Sequence, residues 1–194
     1  MKASIKGKLK KLKVMFFDAD GVFFDGQEYR FILPEGDVIV GKSRSYPDGQ
    51  GLSFLRELGI RIVFVSGEGE PLQSIIEKLN SIPSAKSRRW KPVEIFTKKN
   101  ARGEKVATIL AWLKDNKFPL GIVGYMGDDV NDREPMEIIK KGGGIIICPA
   151  NAMRVVKPLA DIVTKKSGGF GAIREFSEMV LDARGVDEST LPPA

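Results

Sequence analysis

Residues 14–26 read VMFFDADGVFFDG, from Val14 to Gly26. Four apolar residues, Val14 to Phe17, make a short run of the kind a fully buried strand shows. The run leads directly into Asp18-Ala19-Asp20-Gly21. An open α/β sheet places its ligands at the carboxyl ends of its strands, where these two carboxylates would sit. Side by side they repel, and each is costly to desolvate unless a cation or a proton lies nearby. Gly21 lets the chain turn away at once. Alone, the stretch reads equally well as a strand followed by an ordinary Asp-Gly turn.

Working outward, the chain alternates strand and helix patterns. Tyr29–Leu33 and Val38–Val40, split by Pro34-Glu35-Gly36-Asp37, predict a β-hairpin. A helix follows within 45–58, with Asp48 as its cap and Leu52, Leu55 and Leu58 inward. Residues 60–65 form a β-branched strand ending at Ser66-Gly67, and a helix carrying Leu72, Ile75, Ile76 and Leu79 comes next. Residues 81–92 read as a basic loop in which Trp90 packs locally or stacks on a base or a sugar. After strand 93–96, a helix beyond Gly103 is expected to bury Val106, Ile109, Leu110 and Leu113. GIVGYMGDDVND then gives a strand ending in a second acidic cluster. A helix over 135–141, a strand at 145–148, a short helix over 150–156, a strand at 161–164 and an amphipathic helix burying Ile173, Phe176 and Val180 complete the pattern. The fold class predicted is α/β, a doubly wound, mostly parallel sheet with helices on both faces and a hairpin insert at about 22–46. One domain spans 13–184, preceded by a solvated basic arm (1–12) and followed by a flexible tail (185–194).

Composition narrows the chemistry. There are no histidines, which excludes a Ser-His-Asp triad and a His-ligated zinc site. The lone cysteine, Cys148, cannot form an internal disulfide and suits a reducing cytoplasm, where the protein is expected. No apolar run approaches the roughly 18 residues of a membrane span. The net charge is +6 and six of the first 13 residues are lysine, a field that would favour a phosphorylated substrate. Nucleic-acid binding through this arm is the weaker reading.

In a doubly wound sheet the first strand is central and the fourth parallel strand lies beside it. Asp18 and Asp20 then share a crevice with Asp128 and Asp129, and so many carboxylates call for a hard cation such as Mg²⁺. Ser66-Gly67 before a helix could bind an anion, although such a pair commonly marks only a loop. Lys105, in the first turn of its helix, opposes the helix dipole, a misfit that a bound phosphate would explain; Lys98 and Lys99 are competitors.

In chain order, Asp18/Asp20, Ser66, Lys105 and Asp128/Asp129 resemble the four motifs of the haloacid dehalogenase superfamily of phosphohydrolases, over about Val14 to Phe176. The resemblance implies that Asp18 is the nucleophile, forming an aspartyl-phosphate, and that Asp20 is the general acid and base. Ser66, the Gly67 N–H and Lys105 would hold the phosphoryl oxygens. Asp18, the Asp20 main-chain carbonyl and Asp128 would hold Mg²⁺, with Asp129 and Asp132 behind them. The inserts leave room for no cap domain. DGVFFDG, YPDGQGL (with Asp48), GDDVND and GGFGAIREF resemble the capless sugar-acid phosphatases for 3-deoxy-octulosonate 8-phosphate and nonulosonate 9-phosphates. That group forms homotetramers whose neighbours cover each other's sites, so the same assembly is expected. Glu68, where the octulosonate branch carries Arg, resembles the nonulosonate branch more, and Phe170 replaces a basic residue in the GGRG-type loop. The alternatives are a phosphatase for another small metabolite and a non-catalytic oligomerisation domain like the C-terminal part of CMP-sialic acid synthetases.

Overall fold

The computed structural model describes residues 2–67, 69–97 and 103–192. After helix α1 (Ala3–Lys11), β1 (Val14–Phe17) enters the sheet. The hairpin β2 (Tyr29–Ile32) and β3 (Val38–Gly41) stands apart as a two-stranded antiparallel sheet. Then come α2 (Tyr46–Glu57), β4 (Arg61–Val65), α3 (Leu72–Ser81), α4 (Pro83–Ser87), β5 (Glu94–Phe96) and α5 (Glu104–Asn116). The chain continues through β6 (Val123–Met126), α6 (Arg133–Lys141), β7 (Ile145–Cys148), β8 (Ile162–Val163) and α7 (Ala172–Arg184). The main sheet has the order β5-β4-β1-β6-β7-β8, and every pairing in it is parallel. β1 therefore lies between β4 and β6, as the doubly wound reading requires.

The unbroken apolar run of β1 has a direct cause. Side chains alternate faces along a strand, and both faces of this sheet are covered. Met15 and Phe17 join Ile62 and Phe64 in a core closed by α1, α2, α3 and α7. Val14 and Phe16 join Val63 and Val65 on the other side, under α5 and α6. Each such buried side chain contributes roughly 1.5–3 kcal/mol. On the first face α2 and α7 approach very closely: a Cβ on Gly51 would sit 2.9 Å from the Arg174 Cα.

Several local expectations are revised. The basic arm is a helix, not a solvated segment: Leu9 is fully buried, and Lys8 Nζ donates to the Gly144 carbonyl at 2.8 Å. Its lysines flank one core residue, so the charge run hid a weak apolar stripe. The expected loop at 81–92 contains α4, and Trp90 packs locally, with Nε1 donating to Glu57 Oε2 at 2.6 Å. In α5, Leu110 is 41% exposed while Trp112 is buried against Phe16; the inward stripe is rotated from the one expected. Residues 150–156 are not helical, because their backbone groups bond to neighbouring loops; a 3-10 turn at Lys157–Leu159 follows. The tail carries a 3-10 turn at Glu188–Thr190, and Gln50 Nε2 donates to the Pro192 carbonyl. No described helix is long and apolar enough to cross a membrane.

Candidate active site

Asp18 directly follows β1, and its backbone N–H still donates to the Met126 carbonyl of β6 (3.0 Å). The end of β1 and the start of the acidic loop after β6 are thereby held together. Asp18 is 5% exposed. Its Oδ1 accepts from the Ala19 N–H at 2.8 Å, and its Oδ2 lies 2.9 Å from Lys105 Nζ. Burial, reinforced by the negative charge of Asp132, pushes the Asp18 carboxyl well above its ordinary range, while Lys105 works the other way.

Asp132 is the hub. It is fully buried and accepts four hydrogen bonds: from Lys105 Nζ (2.7 Å) and Tyr125 OH (2.7 Å) on Oδ1, and from the Asp128 (2.9 Å) and Asp129 (3.2 Å) N–H groups on Oδ2. A buried carboxylate is tolerable only when so completely paired. Burial disfavours the Lys105 ammonium, yet Asp132 and Asp18 outweigh it and hold its pKa above the ordinary value. The misfit of a cation in the first turn of a helix is thus resolved by two carboxylates.

Carboxylate oxygens of Asp18, Asp128 and Asp132 lie within 4.8 Å of one another. Burial, with Asp132 and Asp129 nearby, pushes Asp128 up to about 7. Gly21 permits this approach. Its φ of +72° suits glycine, and a Cβ there would lie 2.0 Å from Asp128 Oδ2. Asp132 spends its oxygens on four donors, which leaves Asp18 and Asp128 as the carboxylates with capacity toward a cation. An acidic, all-oxygen donor set of this kind fits Mg²⁺.

The remaining predicted residues fall into place unevenly. Ser66, at the end of β4, is buried, with its N–H donating to the Phe96 carbonyl (2.9 Å), and Gly67 is half-buried beside it. Asp20 is half-buried and ion-paired with Lys42 Nζ at 2.7 and 2.8 Å, outside the cluster of three. Asp129 does not share the crevice as expected. It is exposed and caps its own turn, accepting from the Val130 N–H at 2.6 Å, and Asp132 takes its place. Asp48 does not cap its own helix either. It is fully buried and accepts from the N–H groups of Gly171 (3.0 Å) and Arg174 (2.9 Å), so it caps α7 instead. Glu68, Lys98 and Lys99 lie outside the described residues.

Three contributors were not foreseen. Lys42 leaves the hairpin as one lysine among many. Tyr125 sits inside an apolar strand, where its alternation reads as core. Asn151 clamps two loops, donating to the Gly21 carbonyl (2.9 Å) and accepting from the Gly168 N–H (2.7 Å). The GGFG loop is thereby drawn against the Asp-rich turn, where a Cβ on Gly168 would sit 1.9 Å from the Gly21 oxygen. Phe170, in that loop, is 60% exposed.

Comparison with known proteins finds relatives in sequence and in fold. No family model matches the chain. The chain is 29% identical over 178 residues to the 3-deoxy-D-manno-octulosonate 8-phosphate phosphatase of Haemophilus influenzae, covering 92% of this chain and 87% of that protein. The cobalt-bound structure of the deoxy-D-mannose-octulosonate 8-phosphate phosphatase from Haemophilus influenzae superposes with a TM-score of 0.71 at 29% identity, covering 92% of each chain. The same fold is seen in the Moraxella catarrhalis 3-deoxy-D-manno-octulosonate 8-phosphate phosphatase, in complex with magnesium, phosphate and KDO (TM-score 0.75, 24% identity, 95% and 94% covered). With its motif residues in this order on this sheet, the chain resembles the haloacid dehalogenase phosphohydrolases and is a phosphatase similar to the 3-deoxy-D-manno-octulosonate 8-phosphate phosphatases.

Proposed function

We propose that this protein is a Mg²⁺-dependent phosphomonoesterase for a phosphorylated sugar acid, of the 3-deoxy-octulosonate 8-phosphate or nonulosonate 9-phosphate type. The observation that carries the reading is the buried Asp18–Lys105–Asp132 chain with Asp128 beside it. It presents one strand-end carboxylate to an incoming phosphoryl group and keeps an ammonium next to it. Asp18, the Asp20 main-chain carbonyl and Asp128 would hold Mg²⁺, which supplies shielding between an anionic nucleophile and an anionic phosphate.

The chain's own groups then do the following. An Asp18 carboxylate oxygen forms the bond to phosphorus as the P–O bond to the sugar breaks. The departing alkoxide takes a proton from Asp20, which enters this step in its acid form and is held in place by the hydrogen bond that it accepts from Lys42. Asp20 next takes a proton from water, whose oxygen attacks phosphorus, releasing inorganic phosphate and the free Asp18 carboxylate. Ser66, the Gly67 N–H and Lys105 hold the phosphoryl oxygens throughout. Asp132 acts behind these groups, Asp129 orders the turn that leads into it, and the resemblance assigns Glu68 to the substrate. Asp48 acts at a distance, by fixing α7 and the GGFG loop.

A homotetramer is part of this reading. The hairpin exposes apolar residues along both strands, among them Phe31 (58%), Ile32 (78%) and Val38 (53%). A monomer would leave both the hairpin and the uncapped site open to water. The buried thiol Cys148 fits a cytoplasmic setting.

The test is phosphate release from a panel of sugar-acid phosphates, simple sugar phosphates and nucleotides, with Mg²⁺ and with EDTA. Metal-dependent turnover of one sugar-acid phosphate, lost in Asp18→Asn, is expected. A preference for nucleotides or simple sugar phosphates would overturn the substrate class. Absence of any turnover by folded protein would favour an assembly role.

A further inference from the structure

A cavity of about 670 Å³ opens at the opposite end of the sheet from the acidic cluster. Its wall includes Arg61, the first residue of β4, whereas Ser66 follows the last residue of the same strand. Five strand residues separate the two ends, about 17 Å at the usual rise. The volume lies in the range of small-molecule sites. The lining is strongly basic: Arg56, Arg61, Arg88, Arg89 and Lys91 against one carboxylate, Glu57.

These cations are not equivalent. Arg56 serves the fold, donating to the Leu79 carbonyl (2.9 Å) and the Lys91 carbonyl (3.2 Å) while lying over the Trp90 ring at 5.1 Å. Arg61 is paired with Glu94, and Arg88 with Glu57 at 2.6 Å. Glu57 is further occupied by the Trp90 Nε1. Among the described residues, the Arg89 and Lys91 side chains have no hydrogen-bond or ion-pair partner. Arg89 also holds φ at +54°, a left-handed backbone unusual for a residue with a side chain. The segment is nonetheless pinned, because Asn80 both donates to the Val93 carbonyl (2.9 Å) and accepts from its N–H (2.8 Å). The wall is therefore preformed, with its carboxylate neutralised and two cations left over.

We infer that this cavity is a second binding site, for a small phosphorylated metabolite of nucleotide size, distinct from the acidic cluster at the other end of the sheet. Arg89 and Lys91 bind the phosphate groups, and Trp90, fixed by Arg56 and Glu57, forms an aromatic wall. A rigid concave cradle distinguishes this reading from a diffuse nucleic-acid surface, which would need a basic track along an extended groove.

The site can be tested without turnover. In EDTA, the fluorescence of the full chain is titrated with pyrophosphate and, separately, with ATP. Trp112 is buried and gives a constant background, and Trp90→Phe identifies the reporting residue. Saturable quenching by either probe is expected, weakened at least about tenfold in the Arg89→Glu/Lys91→Glu variant and weakening with added salt. Arg89→Gln/Lys91→Gln serves if charge reversal impairs folding; either variant should retain its phosphatase turnover. Lack of saturable binding by both probes, or an affinity unchanged in the variants, would overturn the proposal. So would binding of a single-stranded oligonucleotide in place of both small probes.

Discussion

At the residue scale the site is a problem in placing charge. Asp132 receives four donors, so its loss would be felt first in stability: Asp132→Ala leaves Lys105, Tyr125 and two N–H groups without it. Breaking a buried charge pair costs about 3–5 kcal/mol, and chemical denaturation should report a loss of that order. Lys42 tests positioning. Lys42→Ala should lower kcat about 10–100-fold with little change in KM, and Lys42→Arg should restore part of it; an unchanged kcat would separate Lys42 from Asp20. Titration offers a third test. Asp128 is pushed from 3.8 up to about 7 in the folded chain, and Asp18 is raised as well. The folded state therefore binds more protons than the unfolded state between about pH 4 and 7, and stability falls as pH rises through that window. In EDTA the melting temperature should drop from pH 5 to pH 8, and Mg²⁺ should remove much of that drop by favouring the ionised pair. An EDTA profile that rises over the same range would contradict it.

At the element scale, α7 is held by a cap from another helix. Asp48 belongs to the first turn of α2, yet its carboxylate satisfies the Gly171 and Arg174 N–H groups. Asp48→Ala should cost about 1–2 kcal/mol through the cap alone, and more because the N–H groups it leaves are buried. Urea midpoints would measure it, and Asp48→Asn should lose less. The sequence showed an Asp at a helix start and led to a local cap, because capping rules look along the chain and cannot see a helix 123 residues away. The strands were far more legible. A run such as Ile62-Val63-Phe64-Val65 is apolar on both faces, and only a sheet covered on both sides accommodates that. Ser66 directly after β4 and Lys105 in the first turn of α5 stand where the strand and helix pattern put them, and the resemblance alone suggested their roles. Asp132 as hub and Asn151 as clamp were not legible, since two of the four partners of Asp132 and both partners of Asn151 are backbone groups that any residue carries. The basic N-terminal helix failed for a related reason: its only fully buried residue is Leu9, too little periodicity to outweigh its lysines.

At the scale of the whole molecule, the hairpin is the unbalanced part. The main domain covers both sheet faces, whereas among the described residues β2 and β3 pair only with each other and expose Phe31, Ile32, Val38 and Ile39. A two-stranded ribbon is marginal in water by itself, and an exposed apolar strand edge invites pairing with another chain. Burying these residues against copies of the same chain would stabilise the hairpin and would also seat a neighbour near Asp20, because Lys42 follows β3 directly and holds that carboxylate. Assembly and catalysis would then be coupled through one lysine. Light scattering should give a mass near four times the 21.4 kDa chain. Ile32→Asp/Ile39→Asp should shift that mass toward the monomer and raise KM more than it lowers kcat, since the acidic cluster itself stays intact. A wild-type monomer at assay concentration would remove the neighbour from the site. A dissociated variant with unchanged KM would show that the hairpin serves assembly alone.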